Sequence, residues 1–199
     1  MRAAGGLCVA DEVQAGFGRL GAHFWGFERS GVTPDIVTLG KPMGNGHPLA
    51  AVITRREIAA AFGEEGEYFN TFGGNPVAAA AGLAVLDVLE RDRLPENARE
   101  VGRHLRTRLD DLRRRRPAIA DVRGAGLFVG VDLARAPDFL EPDRDAAHRV
   151  MNAMRESGVL IGVDGPFGNV LKIRPPMPVG IEEVDLLVDA LDEALGHAG

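Results

Sequence analysis

Ala10-Asp11-Glu12-Val13-Gln14-Ala15-Gly16-Phe17-Gly18-Arg19 and, further on, Thr38-Leu39-Gly40-Lys41-Pro42-Met43-Gly44-Asn45-Gly46 are the stretches that decide the fold. Each marks the end of a short apolar run, residues 6–10 in the first and 35–39 in the second, and the start of a glycine-rich turn. Runs such as residues 7–10, Ile36–Leu39 and residues 49–53, bounded by turn residues, are expected of strands buried on both faces of a sheet. In an α/β sheet, ligands collect beyond the carboxyl ends of the strands. The two stretches set a carboxylate, Asp11, and an amine, Lys41, at such ends.

An acid that can hold a ring nitrogen protonated, beside an amine that can condense with an aldehyde, is the pair that pyridoxal phosphate chemistry requires. Taken singly, Lys41 reads as a solvated surface residue and Asp11 as a capping carboxylate. Taken together, an ion pair at two strand ends is the plain alternative. The glycines around Lys41 favour the first reading, because they let other groups approach the backbone closely.

Outward from these stretches, residues 55–62 read as a short helix. Asn75-Pro76 is an N-cap followed by proline at the first helical position, which predicts a helix through about Glu90. Its small residues, 77–82, predict close packing against another backbone. At residues 91–95 the composition turns charged, and a domain boundary is placed there. Residues 96–116 read as an amphipathic helix with Val101, Leu105, Leu109 and Leu112 on one face, stopped by Pro117. Strands are expected at residues 127–133, 159–163 and Val170–Ile173, and helices at 143–157 and 181–195. Strands and helices intermixed in this way fit an α+β domain appended to a piece of α/β sheet. The chain opens almost directly on a strand pattern, and an interior parallel strand needs neighbours, so the start of a longer protein is expected to be missing.

Composition excludes several classes. The 199 residues carry 23 basic and 29 acidic side chains, a formal charge of −6 that gives no electrostatic case for nucleic acid or an anionic membrane. No apolar run approaches the ~20 residues of a membrane span, and a cytoplasmic setting is the expectation. Cys8 is the one cysteine, which rules out an intramolecular disulfide, and it reads as a small buried hydrophobe. His47, His104 and His148 lack metal-ligand spacing, so no metal site is expected. Gly16-Phe17-Gly18-Arg19-Leu20-Gly21 matches a dinucleotide fingerprint in letters only, since residues 11–15 separate it from the strand and bulky Phe24 and Trp25 follow. Gly40-Lys41 is not a phosphate-binding P-loop, because Pro42 replaces the required hydroxyl residue. The run Arg113–Arg116 reads as a solvated complement to a helix C-terminus. Backbone amides and the Thr71 hydroxyl, in Tyr68-Phe69-Asn70-Thr71-Phe72-Gly73-Gly74-Asn75-Pro76, lead into a helix N-terminus that suits a phosphate; a plain capping turn is the alternative.

With Asp11-Glu12-Val13-Gln14, Gly40-Lys41, Thr71-Phe72-Gly73-Gly74-Asn75-Pro76 and Lys172-Ile173-Arg174-Pro175-Pro176 in place, the chain resembles the C-terminal half of a class III aminotransferase. That is the fold-type I group of pyridoxal phosphate enzymes that includes ornithine, acetylornithine and 4-aminobutyrate aminotransferases. The resemblance spans essentially the whole chain. It implies an α/β fold, with the C-terminal part of a fold-type I large domain over residues 1–92 and a smaller α+β domain over residues 93–199. It also implies pyridoxal 5'-phosphate as cofactor, with Lys41 as the lysine that carries it and Asp11 as the partner of its pyridine nitrogen. Gln14 would lie near the ring hydroxyl, and Thr71 would reach the cofactor phosphate of the other subunit in a homodimer. The implied reaction moves an amino group from an amino acid or amine to a 2-oxo acid.

Within that group, Gly44-Asn45-Gly46-His47-Pro48 and Tyr68-Phe69-Asn70-Thr71-Phe72-Gly73-Gly74 look closest to the alanine–glyoxylate aminotransferase 2-like branch, which includes ethanolamine-phosphate and phosphohydroxylysine phospho-lyases. Many class III enzymes place an arginine where Lys172 stands, with Arg174 two positions on. Both are candidates to bind substrate. Lysine is a point charge without arginine's fork, and it serves a phosphate about as well as a carboxylate. A phospho-lyase is therefore the first alternative. The second is an inactive piece that only folds or dimerises, because the family's phosphate loop, stacking aromatic and several central strands are not in this sequence.

Overall fold

The computed structural model describes residues 2–135 and 141–197, of His197 the backbone alone. It divides into two compact units, Met1–Pro95 and Glu96–Gly199.

In the first unit, β1 (Val9–Asp11) and β2 (Ile36–Leu39) run parallel, and β3 (Ala51–Thr54) pairs antiparallel with β2. The register sets Val9 opposite Ile36 and Asp11 opposite Thr38. Asp35 fixes the start of the parallel pair. It is 5% exposed, and its carboxylate accepts the Cys8 N–H at 2.7 Å and meets the guanidinium groups of Arg2 at 3.1 Å and Arg55 at 3.2 Å. After β3 comes α1 (Arg56–Glu64), then α2 (Pro76–Arg91). Asn75 caps α2 by accepting the Ala78 N–H at 2.9 Å, with Pro76 where a missing N–H costs nothing. Of the small residues expected to pack on another backbone, Val77, Ala79 and Ala80 are exposed; at Gly82 a Cβ would stand 2.8 Å from the side-chain Cδ2 of Leu49, with backbone no nearer than Met43 O at 3.7 Å.

Burial in this unit differs from the expectation. Val9, Val52 and Ile53 are 57%, 66% and 54% exposed, so the strands are not covered on both faces. Cys8 is half-buried rather than fully enclosed. Three short strands and two helices have too much surface for their volume to bury a sheet twice over. The buried apolar side chains among the described residues of this unit reduce to Phe17, Leu39, Ala78 and Leu89.

The second unit has a conventional core. The helix α3 (Leu94–Arg115) buries the predicted stripe of Val101, Leu105, Leu109 and Leu112. Four antiparallel strands, β4 (Ile119–Ala125), β5 (Phe128–Leu133), β6 (Gly162–Asp164) and β7 (Val170–Ile173), form a sheet in the order β4-β5-β7-β6. The helices α4 (Arg144–Glu156), capped by Asp143, and α5 (Ile181–His197) complete it. Met154 of α4 and Val184, Val188 and Leu191 of α5 join Leu105, Val131, Leu171 and Ile173 in one cluster. At Gly102 the backbone of α3 comes so near the β4–β5 turn that a Cβ would lie 2.4 Å from Gly126 C and O.

Two further readings change. The strand expected at residues 159–163 begins at Gly162. The basic run is exposed at Arg113, Arg114 and Arg115, as expected, and also carries ion pairs that were not: Arg115 and Arg116 reach Asp192 of α5 at 2.7 and 2.6 Å, and Arg114 reaches Asp111 at 2.6 Å. No helix among the described residues is long and apolar enough to cross a membrane.

Candidate active site

Asp11 ends β1, and the parallel register puts it beside Thr38, three residues before Lys41. Its Oδ1 accepts both the Val13 N–H at 3.1 Å and the Thr38 hydroxyl at 3.4 Å. Val13 leads the chain back over β2, where its methyl carbons lie 3.7 Å from the Cβ position of Gly40. Gln14 is half-buried in the same turn.

Lys41 follows directly on Gly40, whose extended backbone delivers the chain into the 3-10 turn Lys41–Met43. Its φ of 30° lies in the left-handed region that non-glycine residues avoid. The turn is held by the Met43 N–H on Gly40 O at 2.8 Å and the Asn45 N–H on Lys41 O at 3.1 Å. Glycine at 44 is obligatory here, since a Cβ would fall 2.1 Å from His47 O. The lysine side chain is exposed. It lines a hollow of about 600 Å³ together with His47, Asn70, Phe72, Gly74 and Ala78.

The far wall of that hollow is the loop before α2. Asn70 Oδ1 accepts the Phe72 N–H at 3.2 Å, and Asn75 Nδ2 donates to Phe72 O at 2.8 Å, so the loop is tied on both sides of Thr71. Thr71 is exposed, and the adjoining α2 N-terminus offers backbone donors of the kind that hold anions.

Lys172 and Arg174 belong to the second unit. Lys172 lies on β7 opposite Gly130 and Gly162, and its Nζ meets Asp164 at 2.5 Å. The Lys172 ammonium, followed by the Gly165 N–H, holds the Asp164 carboxyl below the usual carboxylate range. Arg174 is exposed just past the strand.

The structure thus sets Asp11 beside Thr38 at the ends of β1 and β2, and places Lys41 with Asn70, Phe72, Gly73 and Gly74 around one hollow, whose lining does not include Asp11. Two residues of this site escaped the sequence reading. Thr38 becomes visible only through strand pairing. His47 has no metal-ligand spacing, and its nearness to Lys41 in Gly44-Asn45-Gly46-His47-Pro48 is the signal that marks it. The dinucleotide look-alike stays empty of that meaning: Gly18 and Gly21 occupy turns at φ 77° and 78°, and an aromatic cluster of Phe17, Phe24 and Trp25 follows instead of a helix N-terminus. A larger hollow of about 800 Å³ lies along α3 and α5 of the second unit, but its polar rim is exposed Glu100, Arg103 and Glu182, and its His104 is bound to Asp185 at 2.7 Å. It is a solvent groove. No cluster of metal-ligating side chains occurs among the described residues.

At the ends of β1 and β2 the side chains fit pyridoxal phosphate: Asp11 offers a carboxylate for a protonated ring nitrogen and Lys41 an exposed primary amine for an aldehyde.

Comparison with known proteins agrees with that chemistry. Residues 2–195 match the profile described as aminotransferase class-III. The alanine–glyoxylate aminotransferase 2-like protein of Drosophila melanogaster is 48% identical over 98% of this chain and 40% of its own length. An ethanolamine-phosphate phospho-lyase homolog of Caenorhabditis elegans is 47% identical over 96% of this chain and 42% of its own. Among solved structures, a phospholyase from Arthrobacter in complex with phosphoethanolamine superposes with a TM-score of 0.93 at 46% identity, covering 98% of this chain and 46% of that one. The chain therefore spans about two fifths of the length of the curated relatives it matches. A profile match over nearly every residue, with an acid and an amine on adjacent parallel strand ends, makes this chain a member of the class-III aminotransferase family.

Proposed function

We propose that the protein containing this chain uses pyridoxal phosphate to transfer an amino group from an amino acid or amine to a 2-oxo acid. The observation that carries this reading is the register that sets Asp11 opposite Thr38, and so places acid and amine at the ends of neighbouring parallel strands. When bound, the cofactor supplies the electron sink that makes a carbon beside nitrogen acidic. Lys41 would hold it, and its Nζ would take and return the substrate's Cα proton. Asp11 would keep the ring nitrogen protonated, and Gln14 would orient the ring hydroxyl. Thr71 and the α2 N-terminus receive the phosphate of a second copy, which makes a homodimer the working unit.

A second reading is phosphate elimination from a phosphorylated amino alcohol or amino acid. Lys172 favours it, being a compact cation already held at 2.5 Å from Asp164, a partner that a dianionic phosphate can displace. The likeness to the Arthrobacter phospholyase supports the same reading.

Borohydride treatment of the full-length protein in the presence of pyridoxal phosphate is expected to fix the cofactor on the peptide carrying Lys41. Labelling elsewhere, or none, ends the proposal. With turnover established, release of inorganic phosphate from phosphoethanolamine assigns the lyase, and consumption of a 2-oxo acid assigns the transaminase.

A further inference from the structure

Beside Asp11 stands a charged residue that this mechanism does not use. Glu12 is 2% exposed, the most enclosed acidic side chain among the described residues. Its carboxylate oxygens accept the N–H of Gly26 at 2.7 Å and of Phe27 at 2.8 Å, the first residues of the 3-10 turn Gly26–Ser30. Its own N–H donates to Thr38 O at 3.0 Å, which carries the β1–β2 ladder one step past the strand. Glycines open the space. A Cβ at Gly16 would come within 3.2 Å of Glu12 Oε2, and one at Gly26 within 3.2 Å of both oxygens.

Successive side chains on extended backbone point to opposite faces. Drawing Glu12 into the interior therefore turns Asp11 outward, and the bond to Thr38 O sets its height opposite Thr38. β1 has only three residues, so its own ladder supplies little to hold that geometry. We infer that Glu12 is a positioning residue: it anchors the end of β1 so that Asp11 meets the cofactor's ring nitrogen, an assignment that rests on Asp11 having that role.

The test uses the full-length protein with Glu12→Gln, with Gly16→Ala as a milder push on Glu12, whose backbone O and carboxylate would lie 3.0 and 3.2 Å from the added methyl, and with Asp11→Asn as reference. Three quantities are read: the Kd for pyridoxal phosphate, the pH midpoint of the bound cofactor's absorbance change, and the thermal midpoint. A glutamine turns an N–H towards a backbone N–H, so one of the two bonds is lost. Both Glu12→Gln and Gly16→Ala are expected to raise the Kd, by about tenfold for Glu12→Gln, and to move the absorbance midpoint in the direction that Asp11→Asn moves it. A lower thermal midpoint with both cofactor readings unchanged makes Glu12 a mere structural prop and overturns the inference, as does failure of both variants to fold. Should Asp11→Asn leave both cofactor readings at the parent's values, the assignment of Asp11 falls first and this inference with it.

Discussion

Asp35 does at the start of the β1–β2 pair what Glu12 does at its end. The Cys8 N–H, then the Arg2 and Arg55 side chains, hold the Asp35 carboxyl below its ordinary value despite the opposing effect of burial. A carboxylate whose value is lowered by folding contributes stability that is present above the unfolded value of about 4 and is lost as pH falls through the folded one. Asp35→Asn is therefore expected to lower the thermal midpoint at pH 7. The gap between variant and parent should close as pH falls below about 4. Thermal melts at pH 7, 5, 4 and 3 check this, and a gap that does not narrow between pH 5 and pH 3 would show that packing rather than charge holds the strand start. The same two strand ends explain what was readable at this scale. Asp11 and Lys41 announce themselves because each ends an apolar run and meets glycine. Thr38 and Glu12 do not, because their importance comes from a partner strand and a turn fourteen or more residues distant.

At the scale of elements, legibility followed periodicity. The stripe of α3 and the Asn75-Pro76 start of α2 are local patterns, and both stand where spacing puts them. The strand β4 had no such pattern to offer: its register shifts between Ile119 and Asp121, which breaks alternation, and Gly124 adds a φ of 144°. Sidedness of the first sheet was equally hidden, because a run of apolar residues states a capacity for burial and not what covers it. Helix-to-sheet spacing in the second unit depends on the bare backbone at Gly102. Gly102→Ala forces a methyl into the 2.4 Å approach to Gly126, an overpacking that backbone on both sides cannot relieve cheaply. It is expected to cost about 2 kcal/mol, read as a lower denaturant midpoint with an unchanged slope. A cost under half of that would mean that the β4–β5 turn moves away freely.

For the whole molecule, the distribution of buried surface separates the two units more sharply than their similar lengths suggest. Every residue of the main apolar cluster, from Ala98 to Leu195, belongs to the second unit. The first unit instead shows Tyr68, Phe69, Phe72 and Val77 at 69%, 80%, 80% and 68% exposure beside the Lys41 hollow. Because opening free energy tracks local burial, amide hydrogens should not exchange uniformly when this 199-residue chain is studied by itself. The amides of β5, β7 and α5 are expected to exchange slowest, by the global unfolding of their unit. Those of β1, β2 and β3 should exchange at least about a hundredfold faster, equivalent to some 3 kcal/mol less protection. The full-length protein provides the contrast. If the exposed aromatic surface and open strand faces are covered there, protection of β1–β3 should rise towards that of the second unit while β5, β7 and α5 change little. Equal protection of both sheets in the 199-residue chain would show that the first unit is stabilised by something other than its own buried apolar side chains.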